Sequence, residues 1–135
     1  MSIRMNPYLS FAGTAAEALT FYHSVLGGTL DLTRFAEFMP DAGDDADKVM
    51  HGQLTASSGH VLMGADVPAS MGAPPPNGTV CLSGDDVVLR EWFSALAEGG
   101  EITVALEKQM WGDEFGELTD AYGVRWMVDL TPPAA

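Results

Sequence analysis

Apolar residues recur at helical spacing twice along the chain. Ala15, Ala18, Leu19, Tyr22 and Leu26 share one face of a helix predicted over Thr14 to Leu26, and Val88, Leu89, Trp92, Phe93 and Leu96 share one face of a second. Thr14 and Asp86 stand where N-caps belong, and Gly27-Gly28 and Gly99-Gly100 where left-handed helix stops belong. Elsewhere the period is two. Val124, Trp126, Val128 and Leu130 alternate with Arg125, Met127 and Asp129, and Gly52, Leu54 and Ala56 alternate with His51, Gln53 and Thr55. Such strands bury one face against a helix and leave the other open.

The two helical stretches belong to an internal repeat. At one constant offset Tyr8-Leu9-Ser10-Phe11 matches Val80-Cys81-Leu82-Ser83, and Gly27-Gly28 matches Gly99-Gly100. Further on, at a smaller offset, Gly52-Gln53-Leu54-Thr55 matches Gly116-Glu117-Leu118-Thr119, Gly59 matches Gly123, and Leu62-Met63 matches Trp126-Met127. The drop in offset places extra residues in the first copy, in the acidic loop around Met39 to Asp47, whose counterpart near Met110 to Asp113 is short. The first copy predicts strand Asn6 to Phe11, the helix, and strands Thr29 to Phe38, Val49 to Ala56 and His60 to Ala65. The expected organisation is one domain over residues 1–135: a βαβββ unit from Met5 to Asp66, a linker from Val67 to Asn77, and a second βαβββ unit from Gly78 to Leu130. Pro68, Pro74, Pro75 and Pro76 keep the linker out of a sheet interior. The fold class is α+β, with paired curved mixed sheets forming a cleft, because neither unit buries its helix and both sheet faces alone.

Composition narrows the class of partner. The chain is 47% hydrophobic with a formal net charge of -13, so its field repels phosphate backbones and anionic membranes, and neither nucleic acid nor membrane is an expected partner. No apolar run is long enough to cross a bilayer and no secretory signal is visible, so a cytoplasmic location is expected. The single cysteine, Cys81, agrees with a reducing compartment, and it is expected to be buried and inert. The run Asp41, Asp44, Asp45 and Asp47 lacks the spacing of a calcium loop and reads as a solvated face.

The segments NPYLSF and FYHSVLGG, with VMHGQL, the Gly64-Ala65-Asp66 turn and WGDEFGELTDAYGVRWMVDL, resemble the vicinal-oxygen-chelate (glyoxalase and bleomycin-resistance) superfamily, in its PhnB-like branch. The resemblance covers nearly the whole chain. It departs from the branch at Glu114, where a basic residue is common, and at Ala121, where proline is common. In metal-dependent members the ligands come from the first and last strands of each unit. Carried onto this chain, the last-strand positions are Met63 and Met127, and the first-strand positions, near Asn6 to Tyr8 and Gly78 to Val80, hold no His, Glu or Asp. Thioethers suit hard or borderline divalent ions poorly, so no metal and no cofactor is expected.

The favoured function is a metal-free cleft that binds a small, partly apolar molecule. Its expected lining is Tyr8, His51, Gln53, Met63, Trp111, Phe115, Arg125 and Met127. Arg125 is the expected grip on an anionic or carbonyl-bearing ligand, against the plainer reading of a salt bridge to Glu117 or Asp129. The alternative is a glyoxalase-related lyase, isomerase or dioxygenase-type enzyme with a rearranged site around His51, in which His51 or Glu117 serves as general base. His23 and His60 read as ordinary surface residues. A homodimer is expected.

Overall fold

A computed structural model describes residues 3–132. The chain divides into two compact units, residues 1–76 and 77–135. Unit 1 contains β1 (Tyr8–Phe11), α1 (Ala15–Leu26), β2 (Thr29–Arg34), β3 (Val49–Thr55) and β4 (Val61–Asp66), and unit 2 contains β5 (Thr79–Gly84), α2 (Val88–Leu96), β6 (Glu101–Lys108), β7 (Glu114–Thr119) and β8 (Arg125–Leu130). Each forms a four-stranded sheet, ordered β1-β4-β3-β2 and β5-β8-β7-β6. The β1–β4 and β5–β8 pairs are parallel and the others antiparallel. The class is thus α+β, two βαβββ units that each build one mixed sheet, as the repeat predicts.

The helices cover one face of each sheet. Those residues of α1 that are buried are Ala15, Ala18, Leu19, Tyr22 and Leu26, the full predicted face. On α2 Leu89, Phe93 and Leu96 are buried, whereas Val88 and Trp92 remain half-buried. Burying a side chain such as Leu19 contributes about 1.5 to 3 kcal/mol. The helices lie close because glycine lies beneath them. A Cβ on Gly52 would stand 2.5 Å from Leu19 Cδ1, and one on Gly116 would stand 2.9 Å from the Phe93 ring. These two positions correspond in the repeat.

Several expected boundaries shift, for local reasons. β1 begins at Tyr8 and not Asn6: Pro7 has no N–H to give a ladder, and only its carbonyl joins, accepting from Met63 N at 3.1 Å. β2 stops at Arg34 and not Phe38, because Glu37 Oε2 accepts from Arg34 N at 2.6 Å and closes a 3-10 turn over Phe35–Glu37. Residues 35–48 join β2 to β3, against 109–113 between β6 and β7, which places the extra residues in the acidic loop.

Thr14 makes no side-chain cap. The start of α1 is held instead by Asp66 at the end of β4, whose Oδ1 accepts from Gly13 N (2.8 Å) and Ala15 N (3.0 Å) while Oδ2 accepts from Val49 N (2.9 Å). Nor is Asp86 the N-cap of α2: that position falls to Val87, which makes no side-chain cap, and Asp86 stands one residue earlier with its Oδ1 accepting from Val88 N at 3.0 Å. Of the paired glycines, Gly27, Gly28 and Gly99 have positive φ. Gly100 does not, and is required for another reason: a Cβ there would lie 2.2 Å from Thr119 O, as one on Gly28 would lie 1.9 Å from Thr55 O.

Candidate functional site

Each sheet presents an open face away from its helix. In unit 1 the register sets Tyr8 beside Met63 and Met63 beside Gln53, with His51 next along β3. Tyr8, His51, Gln53 and Met63 therefore share one face. Tyr8 is half exposed, and its Oη lies 3.3 Å from His51 Nδ1, with the rings 5.9 Å apart. His23 and His60 lie elsewhere, bonded to Gly28 O (2.9 Å) and Ser58 Oγ (3.0 Å).

In unit 2 the burial of β8 alternates as its pattern requires: Trp126, Val128 and Leu130 are buried, and Arg125, Met127 and Asp129 point the other way. Register sets Cys81 beside Met127, Met127 beside Glu117, and Glu117 beside Val104 on β6. Phe115 pairs with Asp129 and packs edge-on against Trp111, with ring centroids 6.2 Å apart. Thus Trp111, Phe115, Glu117, Arg125 and Met127 lie on or beside one face of unit 2. Arg125 Nη2 is 3.9 Å from Glu117 Oε1 and its side chain is 64% exposed, so the guanidinium is hydrated. Its charge carries no desolvation penalty for a ligand to relieve.

Cys81 is exposed on this open face, which corrects the expectation of burial. Its strand alternates, and the even-numbered Val80 and Leu82 take the helix side. Partial shelter of the thiol, followed by the nearby Asp129 carboxylate, pushes its pKa up, so exposure does not make it a ready nucleophile.

The acid pair Asp113 and Asp129 is a feature that strand parity alone did not reveal. Asp129 Oδ1 is buried with no hydrogen-bond donor among the described residues. The Asp113 carboxyl within proton-sharing reach, then burial, then Asp113's charge hold the Asp129 carboxyl above the usual range. Parity places Asp129 on the open face, but the approach of Asp113 depends on how the tight 109–113 connector folds, with Gln109 N donating to Asp113 O at 2.8 Å.

Glu114, where the resemblance leads one to expect a base, forms a two-point ion pair with Arg90: Nε to Oε1 is 3.1 Å and Nη2 to Oε2 is 2.5 Å. That bond raises the Arg90 pKa and lowers that of Glu114.

A glyoxalase-family model, described as Glyoxalase/Bleomycin resistance protein/Dioxygenase superfamily, matches residues 4–128. The chain belongs to this superfamily. Protein YjdN of Escherichia coli K12 is 31% identical, over 93% of this chain and 94% of its own length. Protein PA1353 from Pseudomonas aeruginosa is 35% identical with a TM-score of 0.81, covering 98% of this chain and 100% of that one. A PhnB protein from Bacillus cereus is 25% identical with a TM-score of 0.75, covering 96% and 100%.

The superfamily's chemistry raises the question of a divalent metal, and the donor set of each open face does not fit one. Unit 1 offers Tyr8, Asp31, Gln53, Met63 and a single imidazole, and unit 2 offers Met127 beside Cys81, the Asp113–Asp129 pair, and Glu117 directed to Arg125. Among the described residues no group of three or more His, Cys, Asp or Glu side chains converges to hold an ion. No helix among them is long and apolar enough to cross a membrane.

Proposed function

We propose that this glyoxalase-fold chain is a small-molecule binding protein whose ligand, partly apolar and bearing a carbonyl or carboxylate, is taken on the open sheet faces without a metal. The observation that carries the reading is the unit 2 face, where Met127 adjoins the Trp111–Phe115 pair on one side and the solvated Arg125–Glu117 pair on the other. A polarisable thioether with aromatic edges suits an apolar body, and a guanidinium 3.9 Å from its carboxylate is loosely enough paired to exchange it for a ligand anion. A thermal-shift screen of carboxylates and carbonyl compounds, with and without divalent metals, tests this, since a ligand of the native state raises Tm by mass action. Hits should lose about tenfold in affinity in Arg125→Met, in keeping with a charged hydrogen bond of roughly 1.5 to 3 kcal/mol. Hits that need metal, or that ignore Arg125→Met, would sink the reading.

One observation favours the enzymatic alternative. The Tyr8 hydroxyl lies against His51 Nδ1, and a ring that donates its Nδ1–H to that oxygen has Nε2 free to accept a proton. If His51 acts as a base, His51→Gln should abolish turnover of a screened ligand while retaining its binding. The chain is further proposed to form a homodimer in the cytoplasm; light scattering showing only monomer at micromolar concentration would overturn the dimer.

A further inference from the structure

A cleft of about 470 Å³ opens on the helix side of unit 2, away from the open face that carries Met127, and lies wholly within that unit. Its walls include Asp85, Val87, Arg90, Lys108, Glu114 and Leu130. Two of the six basic residues of a strongly acidic chain thus line one cleft. Arg90 and Glu114 satisfy each other through their two-point ion pair. Asp85 and Lys108 are exposed, and neither side chain has a partner among the described residues. Leu130 forms a buried floor, and Val87, 56% exposed, is the accessible apolar wall.

The helix start is not an anion site. Val88 N donates to Asp86 Oδ1, Leu89 N to Asp86 O and Arg90 N to Val87 O, so these first-turn donors are taken. A simple anion would also meet Asp85, Glu114 and the protein's negative field. A simple cation would meet Arg90 and Lys108. We infer that this cleft takes a small zwitterion with an apolar side chain, of the free α-amino-acid class, its carboxylate on Lys108, its ammonium on Asp85 and its side chain against Val87. The volume suits a ligand of this kind, being within the range of about 300 to 1,000 Å³ usual for small-molecule sites. Both charged partners stay hydrated, so the expected affinity is roughly millimolar.

Amide chemical shifts of the full chain, titrated with L-leucine, 4-methylpentanoate and isoamylamine, test this. L-Leucine should move the amides of Val87, Lys108, Gly112 and Thr131, and each single-charge probe should bind more weakly by up to about fivefold, the effect of one exposed ion pair. Lys108→Gln should weaken L-leucine about fivefold and leave isoamylamine unchanged, and Asp85→Asn should weaken it similarly and leave 4-methylpentanoate unchanged. Both positions are exposed, so neither variant should unfold the chain. The inference is overturned if L-leucine leaves these amides unmoved up to roughly 50 mM, well above a millimolar dissociation constant. Equal binding of all three probes, or indifference to both variants, would overturn it as well. Movement confined to Cys81 and Met127 would support the open-face site and refute this one.

Discussion

In unit 1 the buried aspartate sits at the end of β4, whereas in unit 2 it sits in the turn between β7 and β8. Asp66 gathers the N–H groups of Gly13, Ala15 and Val49, joining the start of α1 and the start of β3 to the last strand of its unit. Asp120 accepts from Tyr122 N (2.8 Å), Val124 N (3.0 Å) and Trp126 Nε1 (2.8 Å), and so fixes a turn and an indole. In the repeat, Leu130 stands where Asp66 would, and Ala56 where Asp120 would. Two copies with one topology have thus settled their hardest polar problems independently. A backbone arrangement survives divergence because many apolar residues satisfy it, whereas a buried carboxylate must be matched donor by donor.

The largest expected effects would break that comparison. Asp66→Ala and Asp120→Ala each strand several buried donors, and each should cost about 3 to 5 kcal/mol by chemical denaturation. Hydrogen exchange should locate the loss in unit 1 for the first and in unit 2 for the second. Protection lost equally throughout both units would show that the locks are not local.

Next come the paired glycines. Gly28→Ala and Gly100→Ala both drive a Cβ into a carbonyl and should each cost about 2 to 4 kcal/mol. Gly28→Ala should be the worse by about 1 kcal/mol, because its φ of +89 also strains an L-residue. Equal losses in thermal melts would mean that the close approach outweighs the dihedral.

Smaller effects separate the polar pairs of unit 2. The Asp129 pKa is raised in the folded state, so the stability this group contributes is fully present below the ordinary carboxylate value and is lost as pH rises through the raised one. Asp129→Asn should therefore be slightly more stable than the parent at neutral pH, with the advantage disappearing on acidification through the carboxylate range. A pH-independent difference would mean that Asp113 and Asp129 share no proton. Arg125→Met should change stability by less than about 1 kcal/mol, as its pair with Glu117 is exposed, and a larger loss would make Arg125 structural.

Periodicity and repetition were sufficient to give the order of elements, the buried face of α1 and the parity of β3 and β8, because burial against a helix imposes spacing on the residues themselves. The same parity put Tyr8, His51, Gln53 and Met63 on one face, and Glu117, Arg125 and Met127 on another. Tertiary structure decided what depends on approach in space. It replaced Thr14 by the distant Asp66 as the anchor of α1, brought Asp113 to Asp129, exposed Cys81, and gave Glu114 to Arg90. Each of these joins groups from different elements, where no local period exists to read, and its outcome rests on distances that only the folded chain sets.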